Sequence, residues 1–172
     1  MNNVLYEISF EFDTVWLIPA AMMVFIPVFY SILRAKINAS CEEKRRKDAI
    51  VLVRTLLLAA FLFVALFTAV SLGSHAYMYS KTVGAYESGE YLTVEGYVEN
   101  FDPMPYGGHK RETFEINGVK FSYSDYNIHP GYNNTKSHGG VIRGDGQHLK
   151  IGYVFLNETY GNIIVYIEEL PG

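Results

Sequence analysis

The chain has 172 residues, of which 49% are apolar, and a formal net charge of −4. Its single cysteine, Cys41, excludes an intrachain disulfide, so any domain outside the cell has to be stabilised by packing. Fourteen of the fifteen glycines and twelve of the fourteen tyrosines follow residue 76, which predicts an apolar N-terminal part and a β-type C-terminal part.

Residues 1–13 form a short tail without lysine or arginine. Apolar and polar residues alternate over 6–13 as in a strand, although Leu5, Ile8 and Phe12 also fit one face of a helix. The pattern leaves both structures open. It places the tail either on the membrane surface or against the C-terminal domain.

Two apolar runs, 14–33 and 49–72, each have about the 20 residues that a helix needs to cross a bilayer. The loop between them, 34–48, is basic, and positive residues in short loops stay on the cytoplasmic side. Both termini are therefore expected outside. Arg54 lies near the cytoplasmic end of the second run, where its side chain is expected to snorkel to the headgroups. The basic loop residues are Arg34, Lys36, Lys44, Arg45, Arg46 and Lys47.

Residues 73–90 are predicted to be a linker and 91–172 an extracytoplasmic β domain. Asn117–Gly118 supplies the positive φ angles of a type I′ hairpin turn. The predicted fold is a two-helix transmembrane hairpin with a small all-β domain, either an OB-like five-stranded barrel or a partly open sheet. The expected strands are 91–99, 112–116, 119–124, 148–155 and 162–169.

The long connection 125–147 is rich in Gly, Asn and His, includes Pro130 and is predicted to contain no helix. Loops longer than about 12–15 residues are usually functional or mobile. This loop is therefore the first choice for a binding surface. Deleting 133–140 is expected to leave the domain folded.

Charge limits the partners of the β domain. From residue 77 onward there are seven Lys or Arg and twelve Asp or Glu, and the basic residues form no stripe. Binding to nucleic acid needs such a stripe, so no nucleic-acid partner is expected. No phosphate-binding or dinucleotide motif accompanies the glycines, and no cofactor is expected.

Four stretches, Glu95–Pro105, Gly108–Glu112, Phe121–Tyr126 and Pro130–Gly140, resemble the outer domains of a group of uncharacterised bacterial membrane-anchored proteins. The resemblance covers about residues 94–140 and does not include the helices. It implies a bacterial source, and the two apolar runs then predict a location in the bacterial inner membrane. It implies no activity.

Two kinds of side chain are candidates for a site. His109, Asp125 and His138 offer metal ligands or a hydrolytic centre, although no nucleophile elbow accompanies them and loop residues of this kind commonly bind backbone. Loop tyrosines suit recognition, because a rigid ring ends in a polar group. The candidates for a ligand or partner surface are Tyr106, His109, Tyr126, Tyr132, Asn134 and His138.

The favoured hypothesis is a non-enzymatic, membrane-anchored module that binds a protein or an envelope polymer, or assembles with copies of itself. A metal-assisted hydrolase acting on an envelope substrate through His109, Asp125 and His138 is the first alternative. An immunity protein against an envelope-acting toxin is the second.

Overall fold

The computed structural model describes residues 3–9 and 17–171. Two long helices come first, α1 (Leu17–Ser40) and α2 (Glu43–Ser88). Both are long and apolar enough to cross a membrane. Their apolar windows are not buried by protein, with Phe25 68% and Phe63 71% exposed. Exposure on this scale suits lipid rather than the core of a soluble protein.

The helices extend further than the apolar runs. The predicted start of the first run, 14–16, lies outside the described residues. The predicted basic loop is mostly helical, and only Cys41 and Glu42 connect α1 to α2. The segment predicted as a linker continues α2 to Ser88. Gly89 ends the helix at φ +75°, and the Glu90 amide donates to the Ala85 carbonyl at 2.8 Å, as is usual for a glycine-terminated helix.

Seven strands form the rest of the described fold, and all of their pairings are antiparallel. The four-stranded sheet has the order β1-β7-β6-β2, and the three-stranded sheet has the order β3-β4-β5. The strands are β1 (Asn3–Glu7), β2 (Leu92–Tyr97), β3 (Glu99–Asp102), β4 (Glu112–Ile116), β5 (Val119–Tyr123), β6 (His148–Asn157) and β7 (Gly161–Glu169).

The predicted hairpin is confirmed. Ile116 pairs with Val119, and Asn117 and Gly118 adopt φ +48° and +78°, as a type I′ turn requires. The inward side chains alternate along both strands, since successive residues of a strand point to opposite faces. Phe114 and Phe121 are 1% exposed and stack at 5.0 Å.

Three features differ from the expected five-stranded domain. The predicted first strand, 91–99, corresponds to β2 alone, and a further strand, β3, begins at Glu99 and belongs to the other sheet. The N-terminal tail adds β1 at the edge of the four-stranded sheet, where Asn3 pairs with Glu169. The sheets do not close into a barrel, so the OB-like barrel is not confirmed, whereas two apolar helices and an antiparallel β domain are.

The last turns of α2 belong to the same compact unit as the strands. Val83 packs with Ile8 and Val165 in a small cluster, and all three are at most 6% exposed. Tyr86 donates a hydrogen bond to the Glu7 carboxylate. Strand β1 is thus held by β7 and by α2, which the alternation of the tail alone does not show.

Candidate functional site

A buried carboxylate, that of Glu112 on β4, organises two loops of the β domain. Glu112 is 0% exposed. Its Oε1 accepts a 2.6 Å hydrogen bond from the Tyr123 hydroxyl on the paired strand β5. Burial, reinforced by this bond, raises the pKa of the Tyr123 hydroxyl. The hydroxyl therefore stays protonated and continues to donate.

The other donors to Glu112 come from the two loops themselves. The Met104 amide, in the β3–β4 loop (103–111), donates to Oε2 at 3.3 Å. The Lys136 amide, in the β5–β6 loop (124–147), donates to both oxygens at 3.1 and 3.2 Å. The Met104 side chain is 1% exposed, and its sulfur accepts from the Ser124 hydroxyl at 3.5 Å. One carboxylate thus fixes both loops against the same strand pair.

A second carboxylate, that of Asp125, holds a short 3₁₀ turn, Lys136–His138, in place. The Asp125 carboxylate accepts from the Thr135 amide at 2.7 Å and from the Thr135 hydroxyl at 2.8 Å. It also pairs with Nδ1 of His138. Partial burial opposes ionisation, but the bonds from Thr135 and His138 outweigh it and hold the pKa of the Asp125 carboxyl below its usual value.

The outer rim of this arrangement consists of exposed aromatic and aliphatic side chains. Tyr106 is 79% exposed, and its ring lies 5.1 Å from that of His138. Tyr126 is 70% exposed and lies over Gly108, where an added Cβ would come within 2.6 Å of the tyrosine hydroxyl. Ile128 is 91% exposed. We call this rim the two-loop surface: Tyr106, Tyr126, Ile128 and His138.

The structure brings together some of the predicted surface residues and not others. Tyr106, Tyr126 and His138 are on the two-loop surface, and Asn134 is exposed in the same loop. Tyr132 is not available to a partner, because it is 3% exposed and belongs to the core. Its hydroxyl accepts from the Val141 amide at 2.6 Å, and burial raises its pKa to about 12.

The proposed metal or hydrolytic set is only partly assembled. Asp125 and His138 meet, but His109 is exposed, at φ +70°. Among the described residues no three His, Cys, Asp or Glu side chains converge as metal ligands. Ser137 approaches Nδ1 of His138, at 3.5 Å, the nitrogen that Asp125 already occupies. A Ser-His-Asp triad would need the serine at the other nitrogen.

The β5–β6 loop is a structural segment and not the mobile one that its composition suggests. Thr135 and Ile142 are 0% exposed, and the Tyr132 amide donates to the Ile164 carbonyl on β7 at 2.9 Å. It also contains a 3₁₀ turn, although no helix was predicted. Since deleting 133–140 would remove Thr135 and the Lys136 amide, these contacts reverse the expectation for that deletion. The deletion is therefore expected to abolish the cooperative unfolding of the β domain.

Comparison with known proteins gives no further assignment. No family model, curated protein or solved structure matches the chain. The resemblance of the outer domain to uncharacterised bacterial proteins therefore stays a prediction.

Two residues of the site were not predicted as such. Glu112 is not among the candidate site residues, although two-residue alternation from Phe114 and Ile116 places it on the inward face of β4. Its two-residue spacing from these buried side chains is the signal that identifies Glu112 as a buried carboxylate. Ile128 has no comparable signal, because loop residues follow no period.

His129, next to Ile128, is a buried histidine with one ring nitrogen left without a hydrogen-bond partner. The ring is 9% exposed, Nδ1 contacts the Pro130 carbonyl at 3.0 Å, and Nε2 is buried without a partner. Burial, with a smaller effect of the Arg111 charge, lowers the pKa of His129, although backbone hydrogen bonding at Pro130 opposes the shift. The folded state therefore resists protonation at this position.

We expect this histidine to lower stability in acid. Below the unfolded-state pKa of about 6.5, the unfolded chain takes up a proton that the folded chain refuses, at a cost that approaches about 1.4 kcal/mol per pH unit. The free energy of unfolding therefore keeps its full value with respect to His129 above this pH, and it falls as the pH drops below it. Urea unfolding from pH 8 to 5 should show a smaller loss in His129→Phe. His109→Asn, at an exposed position, is the control, and equal pH profiles for wild type and His129→Phe would contradict the assignment.

Proposed function

We propose that the protein is a non-enzymatic binding module of the bacterial cell envelope. Helices α1 and α2 anchor it in the inner membrane, and the β domain presents the two-loop surface outside. The expected partner is a protein or an envelope polymer, or a second copy of the chain.

The observation that carries this proposal is the exposure of Tyr106 and Tyr126 on loops that buried or partly buried carboxylates hold in place. Exposed apolar side chains that lie together commonly mark interaction sites, and tyrosine is enriched among the residues that dominate binding energy. Because Glu112 and Asp125 already order both loops, binding would cost little conformational entropy. A preformed aromatic surface, with no catalytic set assembled among the described residues, favours binding over hydrolysis.

Site-specific crosslinking in the native host tests the binding role. We expect a photoreactive phenylalanine analogue at Tyr106 to form crosslinked adducts, because this side chain points into solvent from a fixed loop. The matched control is the same analogue at Tyr97, which is 52% exposed on β2. Adducts at 106 that weaken in a Tyr126→Ala background support the proposal. Their absence at 106, or equal adducts at both positions, would contradict it.

The proposed topology rests on Arg34 and Lys36, which precede the last turn of α1, and on the basic residues at the start of α2. Alkaline phosphatase fused after Gly172 should be active in a bacterial host, whereas a cytoplasmic fluorescent reporter at the same place should not be. A fusion between Cys41 and Glu42 should give the opposite pair of results. A bright cytoplasmic reporter after Gly172 would show that the orientation is the opposite of the one proposed.

A further inference from the structure

The charge of the β domain is unevenly distributed. The β3–β4 and β5–β6 loops together contain four of the seven basic residues that follow residue 76, but only two of the twelve acidic ones. The remainder of the domain is strongly acidic. The two loops that carry the two-loop surface are therefore the basic segments of an acidic domain.

Two of these basic side chains have no acidic partner in the described part of the chain. Lys110 pairs with Asp102 and Arg143 with Glu169, but Arg111 and Lys136 form no ion pair there. The Arg111 guanidinium donates to the Ser122 hydroxyl at 2.8 Å. The Lys136 ammonium lies 5.4 Å from the centre of the Phe101 ring. Their positive charges are thus available to an anionic partner.

The most exposed residue of the surface is an aliphatic one in a braced turn. The Asn127 amide donates to the Ser124 carbonyl at 2.9 Å, and the Asn127 side chain donates to that of Asn133 at 3.1 Å. On the other side of Ile128, the neighbouring His129 ring is buried. The chain is therefore held on both sides of Ile128, and its side chain, 91% exposed, projects into solvent.

We propose that the two-loop surface docks on a lipid headgroup layer that contains anionic lipid, with Ile128, Tyr106 and Tyr126 entering the interface and Arg111 and Lys136 meeting the phosphates. Tyrosine is enriched at membrane interfaces, exposed aliphatic side chains add buried area there, and each basic residue near an anionic leaflet strengthens binding. A neutral envelope polymer would gain no electrostatic attraction from the basic residues of the two loops. The inference rests on the proposed binding role of this surface and adds a lipid partner to it.

The test uses the full chain, reconstituted in vesicles of phosphatidylcholine alone or mixed with phosphatidylglycerol. A polarity-sensitive fluorophore is attached at Ile128→Cys in a Cys41→Ser background. We expect a blue-shifted emission only in the anionic vesicles, and partial reversal as the ionic strength rises, because screening weakens headgroup attraction. The same label at Leu92→Cys, on β2 and also well exposed at 58%, should not respond.

Lys136→Gln tests the charge. It should lower the equilibrium constant for docking in anionic vesicles about fivefold, the change expected for one basic residue near an anionic leaflet. The emission at position 128 reports this constant. Lys120→Gln, which removes a lysine with 79% side-chain exposure on β5, should leave it unchanged. Equal emission in both kinds of vesicle overturns lipid docking. If crosslinked adducts at Tyr106 persist in that case, the binding role stands and the partner is not the lipid.

Discussion

Replacing Glu112 by alanine is expected to destabilise the β domain by about 3–4 kcal/mol, the largest effect of any single side chain in the two-loop arrangement. The substitution leaves the Tyr123 hydroxyl and the Met104 and Lys136 amides without their acceptor in a site that is closed to water. Each buried donor left unsatisfied costs about 1–3 kcal/mol, and partial rearrangement limits the sum.

The same strand provides a matched control. Glu115 pairs with Lys120 at 3.4 Å, and its side chain is 27% exposed, so Glu115→Ala should cost less than about 1 kcal/mol, as is usual for surface ion pairs. Urea denaturation of the full chain in detergent, followed by near-ultraviolet circular dichroism of the tyrosines, compares the two variants. Similar losses in both would show that Glu112 does not organise the loops.

Glu112→Gln separates the acceptor role from side-chain volume. Glutamine has nearly the size of glutamate but replaces one acceptor oxygen by a donor, which would face the donating amides. Its stability should lie between those of wild type and Glu112→Ala. The exchange rate of the Lys136 amide should rise in Glu112→Gln, because this amide donates to both carboxylate oxygens. An unchanged rate would argue that the loop is fixed by Asp125 alone.

Periodicity explains how much of the fold the sequence predicts. The β4–β5 hairpin and strands β6 and β7 follow from two-residue alternation and from Asn117–Gly118, which are local signals. The two apolar helices follow from length and composition. Strand β1 pairs with β7 across almost the whole chain, at Asn3 and Glu169, and no local pattern specifies such a partner.

The candidate site is less predictable than the fold, since its geometry is set by long-range hydrogen bonds of irregular backbone. Asp125 and His138 were identified as site residues, but their partner Thr135 was not. Tyr132 was assigned to the surface because it lies in a loop, whereas its ring packs edge-on against Tyr123 in the core. In loops, residue type does not decide burial, and only the contacts of the folded chain do.

Gly140→Ala is expected to cost about 2–3 kcal/mol, because the added methyl group would collide with backbone. An alanine Cβ at this position would lie 2.3 Å from the Asn134 carbonyl oxygen and 2.7 Å from the Thr135 carbonyl carbon. Neither atom can move freely, since the Thr135 amide and hydroxyl are both bound to Asp125. The substitution therefore acts on the turn that carries His138, and through it on the two-loop surface.

Two other glycines, one in each loop, separate this collision from ordinary glycine effects. Gly139 adopts φ +91° but has open space around it, so Gly139→Ala should cost about 1 kcal/mol from the left-handed conformation alone. Gly107 has open space and no positive φ, so Gly107→Ala should be close to neutral. Urea unfolding ranks the three, and exchange of the Thr135 amide should accelerate most in Gly140→Ala. If Gly140→Ala were as stable as Gly107→Ala, the β5–β6 loop would not be packed against its own 134–135 peptide, and the preformed surface on which the binding role depends would not exist.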